Sequence, residues 1–390
     1  MTALGVGTGS QRQRVRVKEA IRRRISMKRR VIAGILVGLL AIGTLAGCGG
    51  KDDSAASSST EKEDTAASDE SDSDDADAAD DSSADASGGD IGNITMIMAL
   101  RDEFLSTLEA GAISAAEEMG INLTTQDAQS DTSKLLQFVE TARNDGQKAI
   151  IVNPVDPETC PQIVEAAGDM KVVFVNRPPV DTEAVLNENV VYVGSDEMMS
   201  GKYQGDFLSE KFKAEGKEEI KYILLNGTIG NVSTTQRTAS CLQAFEDNGI
   251  KATEATAPLA ADFDRATAQD MITPLLTTIE YDCIISNNDA MALGAIEALK
   301  DQGIDPSTVP VVGIDATVDG RQAVKDGTLA MTVFQDANGQ GYGALMAAAN
   351  LVSGTTLNEG TDYDLDETGH IMWVPFEPVT PDNVADYDGC

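Results

Sequence analysis

Cys283-Ile-Ile-Ser-Asn-Asn-Asp289, continued by Ala290-Met-Ala-Leu-Gly-Ala-Ile-Glu-Ala-Leu-Lys300, decides the fold of this 390-residue chain. Ile284 and Ile285 form a short apolar run that reads as a buried parallel strand. It stops at Asn287, Asn288 and Asp289, and the apolar-periodic run to Lys300 reads as a helix with Asp289 as its N-cap. In an open α/β sheet, ligands bind beyond the carboxyl ends of the strands. Amide and carboxylate tips at such an end can bond a small, neutral, hydroxyl-rich ligand in fixed directions. Asp289 by itself reads as a cap, whereas Asn288 reads as a ligand contact, because the pattern recurs at other strand ends.

Upstream of this stretch the same alternation runs from Ile91. Strands are expected at Asn93–Leu100, Ile121–Thr125, Ala149–Val152, Lys171–Val175 and Val190–Val193, with helices at Phe104–Met119, Lys134–Asn144 and Pro161–Ala167. The series then restarts, with strands at Ile220–Leu225, Val309–Ile314, Leu329–Phe334 and His370–Val374. Its helices are expected at Thr235–Asn248, Ala266–Thr278 and Tyr342–Val352. Short apolar strands between helical runs mean βαβ units and parallel sheets. Two such series, each long enough for a core, predict two similar lobes.

Asn176, Asn288, Asp315 and Gln335 each end a strand, Asp102 and Phe104 follow the first, Arg237 starts a helix, and Phe263 lies in a loop. Each alone reads as a cap or turn residue. Their shared placement at one edge of two sheets favours a site. Planar amides, carboxylates and a guanidinium fork bond paired hydroxyls, and aromatic rings cover the apolar faces of a sugar.

The first 47 residues read as a secretory signal: a basic run from Arg12 to Arg30, an apolar run from Val31, and Leu45-Ala46-Gly47 before Cys48. Leu-Ala-Gly-Cys resembles the bacterial lipobox, which implies lipidation at Cys48 and display on the outer face of the cytoplasmic membrane. The apolar run is at the short end for a retained transmembrane anchor. Met27-Lys-Arg-Arg opens a signal of ordinary length, leaving either Met1 or Met27 as the start. Residues 48–90 follow as a lipidated cysteine and an acidic Ser/Ala/Asp tether, with no aromatic or branched aliphatic side chain to bury and therefore an expected disorder.

The net charge of −35 divides into +9 for the first 50 residues and −13 for residues 51–90, leaving −31 for the rest. Such a surface repels nucleic acid. Cys160, Cys241, Cys283 and Cys390 have no paired spacing, so neither a disulfide framework nor a zinc site is expected. Chemistry is equally sparse. The single histidine, His370, lies in an expected strand, and GxSxG, HExxH and phosphate-loop motifs are missing from the sequence. Asp102 and Asp315 as a glycosidase pair is the remaining enzymatic reading. A DNA-binding regulator would need a helix-turn-helix ahead of residue 91, where the acidic segment lies.

Tyr192-Val-Gly-Ser-Asp196, the Ser286–Lys300 block, Val311-Val-Gly-Ile-Asp315 and Asp336-Ala-Asn-Gly-Gln340 together resemble the periplasmic-type sugar-binding proteins of ABC transporters, in the galactose/glucose- and ribose-binding group. The resemblance implies a type I periplasmic-binding-protein fold, α/β, with two Rossmann-like lobes joined by three crossings near Gly194, Asp336 and Gly369. Residues 91–194 with 337–369 would form the first lobe, and 195–336 with 370–390 the second. It implies no enzyme activity and no cofactor. It implies a monomer that carries a hexose, pentose or cyclic polyol to a permease, or alternatively presents it to a membrane receptor as a sensor.

By the same resemblance Asp102, Asn176 and Arg177 would bond hydroxyls from the first lobe, with Phe104 stacking on the sugar. Arg237, Asn288, Asp315 and Gln335 would bond it from the second, with Phe263 on the opposite face. Asn231 and Ser233 stand where the galactose/glucose type has histidine and aspartate, which leaves the sugar open. Lys213-Ala-Glu-Gly-Lys-Glu-Glu219 lacks the alternating oxygen ligands of that type's calcium loop, so no metal is expected.

Lipidation is directly testable. Cys48→Ala should release the protein or leave its precursor uncleaved, read by membrane fractionation and mass. A membrane-bound mature form of this variant would refute the lipobox reading.

Overall fold

The computed structural model describes residues 91–389. The expected signal, Cys48, the tether and Cys390 lie outside the described residues.

In chain order the elements are β1 (Asn93–Met98), α1 (Glu103–Met119), β2 (Asn122–Asp127), α2 (Thr132–Asn144), β3 (Ala149–Val152), α3 (Cys160–Ala167), β4 (Lys171–Val175), a one-turn α4 (Thr182–Val185) and β5 (Val190–Gly194). There follow α5 (Glu197–Ala214), β6 (Glu219–Asn226), α6 (Val232–Asp247), β7 (Lys251–Glu254), β8 (Leu259–Ala260), α7 (Arg265–Ile272), β9 (Cys283–Ser286), α8 (Asp289–Asp301), β10 (Val311–Val312), α9 (Val318–Lys325) and β11 (Thr332–Gln335). The chain ends with α10 (Ala337–Ser353), β12 (Asp364–Leu365), β13 (Ile371–Trp373) and β14 (Phe376–Val379).

Two large sheets result. The first has seven strands in the order β12-β13-β5-β4-β3-β1-β2, parallel except for β12. The second runs β10-β9-β6-β7, with β8 also paired to β6, and all its pairs are parallel. β11 and β14 form a separate antiparallel pair. Both faces of each large sheet are covered. Ile94, Met96 and Met98 enter one apolar cluster and Ile97 the opposite one, as period-two strands between helical layers require.

The chain leaves the first sheet after Gly194, returns to it through α10, which packs among its core residues, and leaves again after Trp373. This last exit corrects the crossing expected near Gly369. β13 pairs in parallel with β5, Ile371 opposite Tyr192, and Met372 and Val374 are buried in the first-sheet core. An apolar strand that follows a turn can join whichever sheet offers a free edge, and here β5 offers it. β10 is also shorter than expected. The rest of the expected strand gives only isolated bridges, Val312 to Met331 and Asp315 to Phe334.

α5 and α6 lie unusually close. A Cβ at Gly201 would collide with the backbone carbonyl of Arg237, and one at Gly205 with that of Cys241. Small residues one helical turn apart therefore let the two backbones touch, which fixes where Glu197 and Arg237 stand relative to each other. Cys160, Cys241 and Cys283 are buried and unbridged. Burial pushes the Cys160 thiol up to about 12, and those of Cys241 and Cys283 up as well.

Gly201→Ala should overpack this seam and destabilise the protein by about 1–3 kcal/mol. A urea titration reads the shift, and an unchanged midpoint would mean that the seam has room to spare.

Candidate functional site

The carboxyl ends of the strands in both large sheets carry a concentration of strained backbone. Seven non-glycine residues have positive φ among the described residues, and five of them are Asn176, Asp262, Phe263, Asp315 and Ala316. Asn176 (φ 66°) follows β4, Phe263 (φ 63°) follows β8, and Asp315 (φ 116°) follows β10. Such conformations persist only where the surroundings over-determine them, and they gather at functional sites.

Arg237 is the centre of the second-sheet side. It is 5% exposed, on the buried face of α6. Its Nε donates to Glu197 Oε2 at 2.6 Å, and its Nη2 to Glu197 Oε1 at 3.1 Å and to Gln335 Oε1 at 3.1 Å. Its Nη1 donates to the Asn287 carbonyl at 2.7 Å and lies 3.8 Å from Asp315 Oδ1. Burial alone would lower the guanidinium pKa, but Glu197 and Asp315 outweigh it and the net shift is upward. Asp315 shifts the other way from an ordinary ion-paired carboxylate. Burial pushes it well up, reinforced by Asp289, Asp102 and Glu197, and Arg237 only partly opposes this.

Gln335 supplies the most pointed feature. Arg237 can only donate, so the amide oxygen of Gln335 faces it and the amide nitrogen faces away. That Nε2 is buried and has no hydrogen-bond partner. A buried donor without an acceptor is unfavourable by about 1–3 kcal/mol, which an incoming hydroxyl would relieve.

The first-sheet side is built from helix and strand ends. Asp102 caps α1, its Oδ1 accepting from Leu105 N at 2.7 Å. The residue keeps solvent access, yet desolvation within the cleft raises its pKa against the opposing charge of Arg177. Arg177 is lowered by burial and spends Nη1 on the carbonyls of Pro154 and Val155. Asn176 donates to Gln340 Oε1 at 3.2 Å, and Gln340 in turn donates to Ser195 Oγ at 3.0 Å, tying two crossings together. Phe104 is half-buried against the first core and Phe263 against the second. Gly227 leaves room for the Phe263 ring, which would collide with any Cβ there.

The two sides face each other. Glu103, next to Asp102, shifts upward, led by burial, and its carboxyl feels Asp319, Arg265 and Thr317 of the opposite side. Asp102 likewise acts on Asp315. The site is therefore a cleft between the strand ends of both sheets, lined by planar hydrogen-bonding groups. No cluster of three or more potential metal ligands occurs among the described residues.

Several sequence expectations change here. The N-cap of α8 is Asn288, not Asp289: Asn288 Oδ1 accepts from Met291 N at 3.0 Å, and its Nδ2 donates to the Phe263 carbonyl at 3.3 Å. Asp289 is wholly buried, accepting from Thr332 Oγ1 at 2.6 Å and Thr317 N at 2.9 Å. Asn231 caps α6, its Oδ1 accepting from Ser233 N at 2.8 Å, and Ser233 Oγ donates to Glu197 Oε1 at 2.8 Å. Glu197 was missed because an acidic residue after Ser195-Asp196 reads as ordinary first-turn helix chemistry. Only Gly201 and Gly205, four residues apart, hinted that this helix packs too closely for Glu197 to face water. Gln340, part of the Asp336–Gln340 block, carried no signal beyond the block.

A model of the periplasmic binding protein domain matches residues 94–356. The chain is 32% identical over 292 residues to a candidate rhizopine-binding protein of Rhizobium meliloti, covering 74% of this chain and 89% of that protein. It is 32% identical over 300 residues to the D-galactose/methyl-galactoside binding periplasmic protein of Haemophilus influenzae, covering 73% and 88%. Among solved structures it is similar to an ABC transporter solute binding protein from Bacillus halodurans with bound myo-inositol. There the TM-score is 0.67 at 30% identity, covering 77% of this chain and 99% of that one.

The buried acids predict a pH dependence. Burial pushes the Asp289 carboxyl up to about 7, well above the usual carboxylate range. A carboxylate raised in the folded state adds stability that is full below its unfolded pKa and is lost as pH rises through about 7. The melting temperature should therefore fall between about pH 4 and about pH 7 and level off above that, and fall less steeply in Asp289→Asn. Equal slopes would show that Asp289 is not the group responsible.

Proposed function

The chain belongs to the periplasmic binding protein family, and from that premise we propose that it is an extracytoplasmic solute-binding lipoprotein. It captures one neutral monosaccharide or cyclic polyol between two lobes and delivers it to an ABC sugar permease. The family is one of solute-binding proteins rather than enzymes. Anchoring through Cys48 rests on the sequence motif and would hold the binding lobes outside the membrane.

The observation that carries the ligand class is the Arg237–Asp315–Gln335 group. Within a few ångströms it offers a cation, an acceptor and an unpartnered amide donor, all buried. A hydroxyl both donates and accepts, so polyol hydroxyls match this mixture, whereas an anion would be drawn in beside Asp315 and Asp102 at a heavy desolvation cost. Asp102 and Arg177 supply charged groups from the first lobe, and Asn176, the half-buried rings of Phe104 and Phe263, and the capping amide of Asn288 complete the set. The similarity to a galactoside-binding protein and to a myo-inositol-bound structure supports the same class. Ligand groups on both lobes imply closure about the crossings after Gly194 and Gln335.

Calorimetry with D-galactose, D-ribose and myo-inositol tests this. One of them should bind, and Asp315→Ala should weaken it by about 2–5 kcal/mol, on the order of thirty-fold or more. Phe263→Ala should weaken every accepted sugar. Small-angle scattering should show compaction on saturation. Unchanged affinity in Asp315→Ala would refute the site, and preference for a sugar phosphate would refute the ligand class.

A further inference from the structure

Arg237 has five N–H donors, and the protein occupies four of them: Nε and one Nη2 hydrogen on Glu197, the other Nη2 hydrogen on Gln335, and one Nη1 hydrogen on the Asn287 carbonyl. A guanidinium with a free fork binds carboxylates and phosphates through two parallel hydrogen bonds. Here Glu197 already fills that fork. Glu197 is itself fixed from a second direction, because Ser233 Oγ donates to its Oε1 at 2.8 Å. It is 2% exposed and stands at the start of α5, whose Gly201 and Gly205 press that helix against α6. The remaining Nη1 hydrogen is beside Asp315 Oδ1, 3.8 Å from the nitrogen. That gap is too long for a direct hydrogen bond, and one oxygen that accepts from Arg237 and donates to Asp315 would complete it.

Resting on the reading of the cleft as a neutral-polyol site, we propose that Glu197 is the positioning residue that sets its selectivity. By holding the Nε/Nη2 edge of Arg237 it leaves one hydrogen for the ligand, enough for a single hydroxyl or ring oxygen and too few for a forked anion. It also offsets part of the guanidinium charge, which leaves less of it to attract an anion beside Asp315. Discrimination against acidic sugars is then built by occupying the one group that would attract them.

The test uses three matched pairs: D-galactose with D-galacturonate, D-ribose with D-ribose 5-phosphate, and myo-inositol with myo-inositol 1-phosphate. The readout is the ratio of dissociation constants within the pair whose neutral member binds best. A residue that merely holds the fold would weaken both members together and leave the ratio alone. The parent protein should favour the neutral member by at least about 100-fold, Glu197→Gln should narrow that ratio by at least about tenfold, and Glu197→Asp should keep it within about threefold. A parent ratio below about tenfold would overturn the proposal without any variant, as would an unchanged ratio in folded Glu197→Gln. Equal narrowing in Glu197→Asp would also overturn it, by showing that packing rather than charge is responsible. Should Glu197→Gln fail to fold, the parent ratio and Glu197→Asp still decide. If no neutral member binds the parent, both this proposal and the reading it rests on fall; if one binds and only the ratio fails, the sugar-binding reading stands.

Discussion

The buried ion pair between Glu197 and Arg237 is the constraint on which the second half of the cleft depends. Taking two charges out of water is unfavourable by several kcal/mol each, and Coulomb attraction repays this only with good geometry and satisfied hydrogen bonds. Both conditions are met: two donors from the guanidinium to the carboxylate, a third from Ser233, and further acceptors in Gln335 and the Asn287 carbonyl. These groups come from four elements, Glu197 from α5, Ser233 and Arg237 from α6, the Asn287 carbonyl from the end of β9 and Gln335 from the end of β11. α5, α6, the end of β9 and the end of β11 therefore have one mutual arrangement in which the pair is stable. The close helix seam at Gly201 and Gly205 supplies the distance, and the pair supplies the register.

The strained residues follow from the same demand. Asp315 leaves β10 with a backbone that L-residues rarely adopt, and in doing so aims its carboxylate at Arg237 rather than along the sheet. Asn176 does the equivalent on the first sheet, where its carbonyl accepts from Tyr192 Oη at 2.9 Å and its amide reaches Gln340. Strain of this kind is unfavourable by about 1–3 kcal/mol per residue and needs a rigid surround. The two sheets, covered on both faces, provide it.

Much of this was legible in the sequence because the strands are short, apolar and continuous. β3 and β4 fall on Ala149–Val152 and Lys171–Val175, the limits set by their flanking polar residues. Asp315, Gln335 and Arg237 stood out in the sequence because each is a polar group just where an apolar run or a glycine-rich loop ends, and the structure brings the three together. What was hidden has physical reasons. Lys251-Ala-Thr-Glu254 forms β7 with almost no buried side chain, so its pattern resembles a loop. β14 contains a proline and pairs only with β11, and α9 begins directly on a strained turn. The assignment of β13 to a sheet depends on which edge is free, a property of the assembled fold. That Asn288 rather than Asp289 caps α8 turns on one residue of helix register, and either side chain can cap. Glu197 was unreadable because its burial is decided by α6, far along the chain.

The three buried thiols carry a different kind of information. Cys160 lies in a core cluster of the first sheet, and Cys241 and Cys283 share one in the second. With their pKa values pushed up by burial, almost none of their sulfur is thiolate at neutral pH, and none is reachable by solvent while the cores are closed. In an oxidising environment these three thiols are thus chemically quiet, and each can be alkylated or oxidised only during an excursion that opens its own core. The labelling rate of Cys160 then clocks the breathing of one half of the molecule, and that of Cys241 and Cys283 clocks the other. The protein carries two internal stopwatches, already wired to separate cores, that distinguish local opening from global unfolding without any added probe.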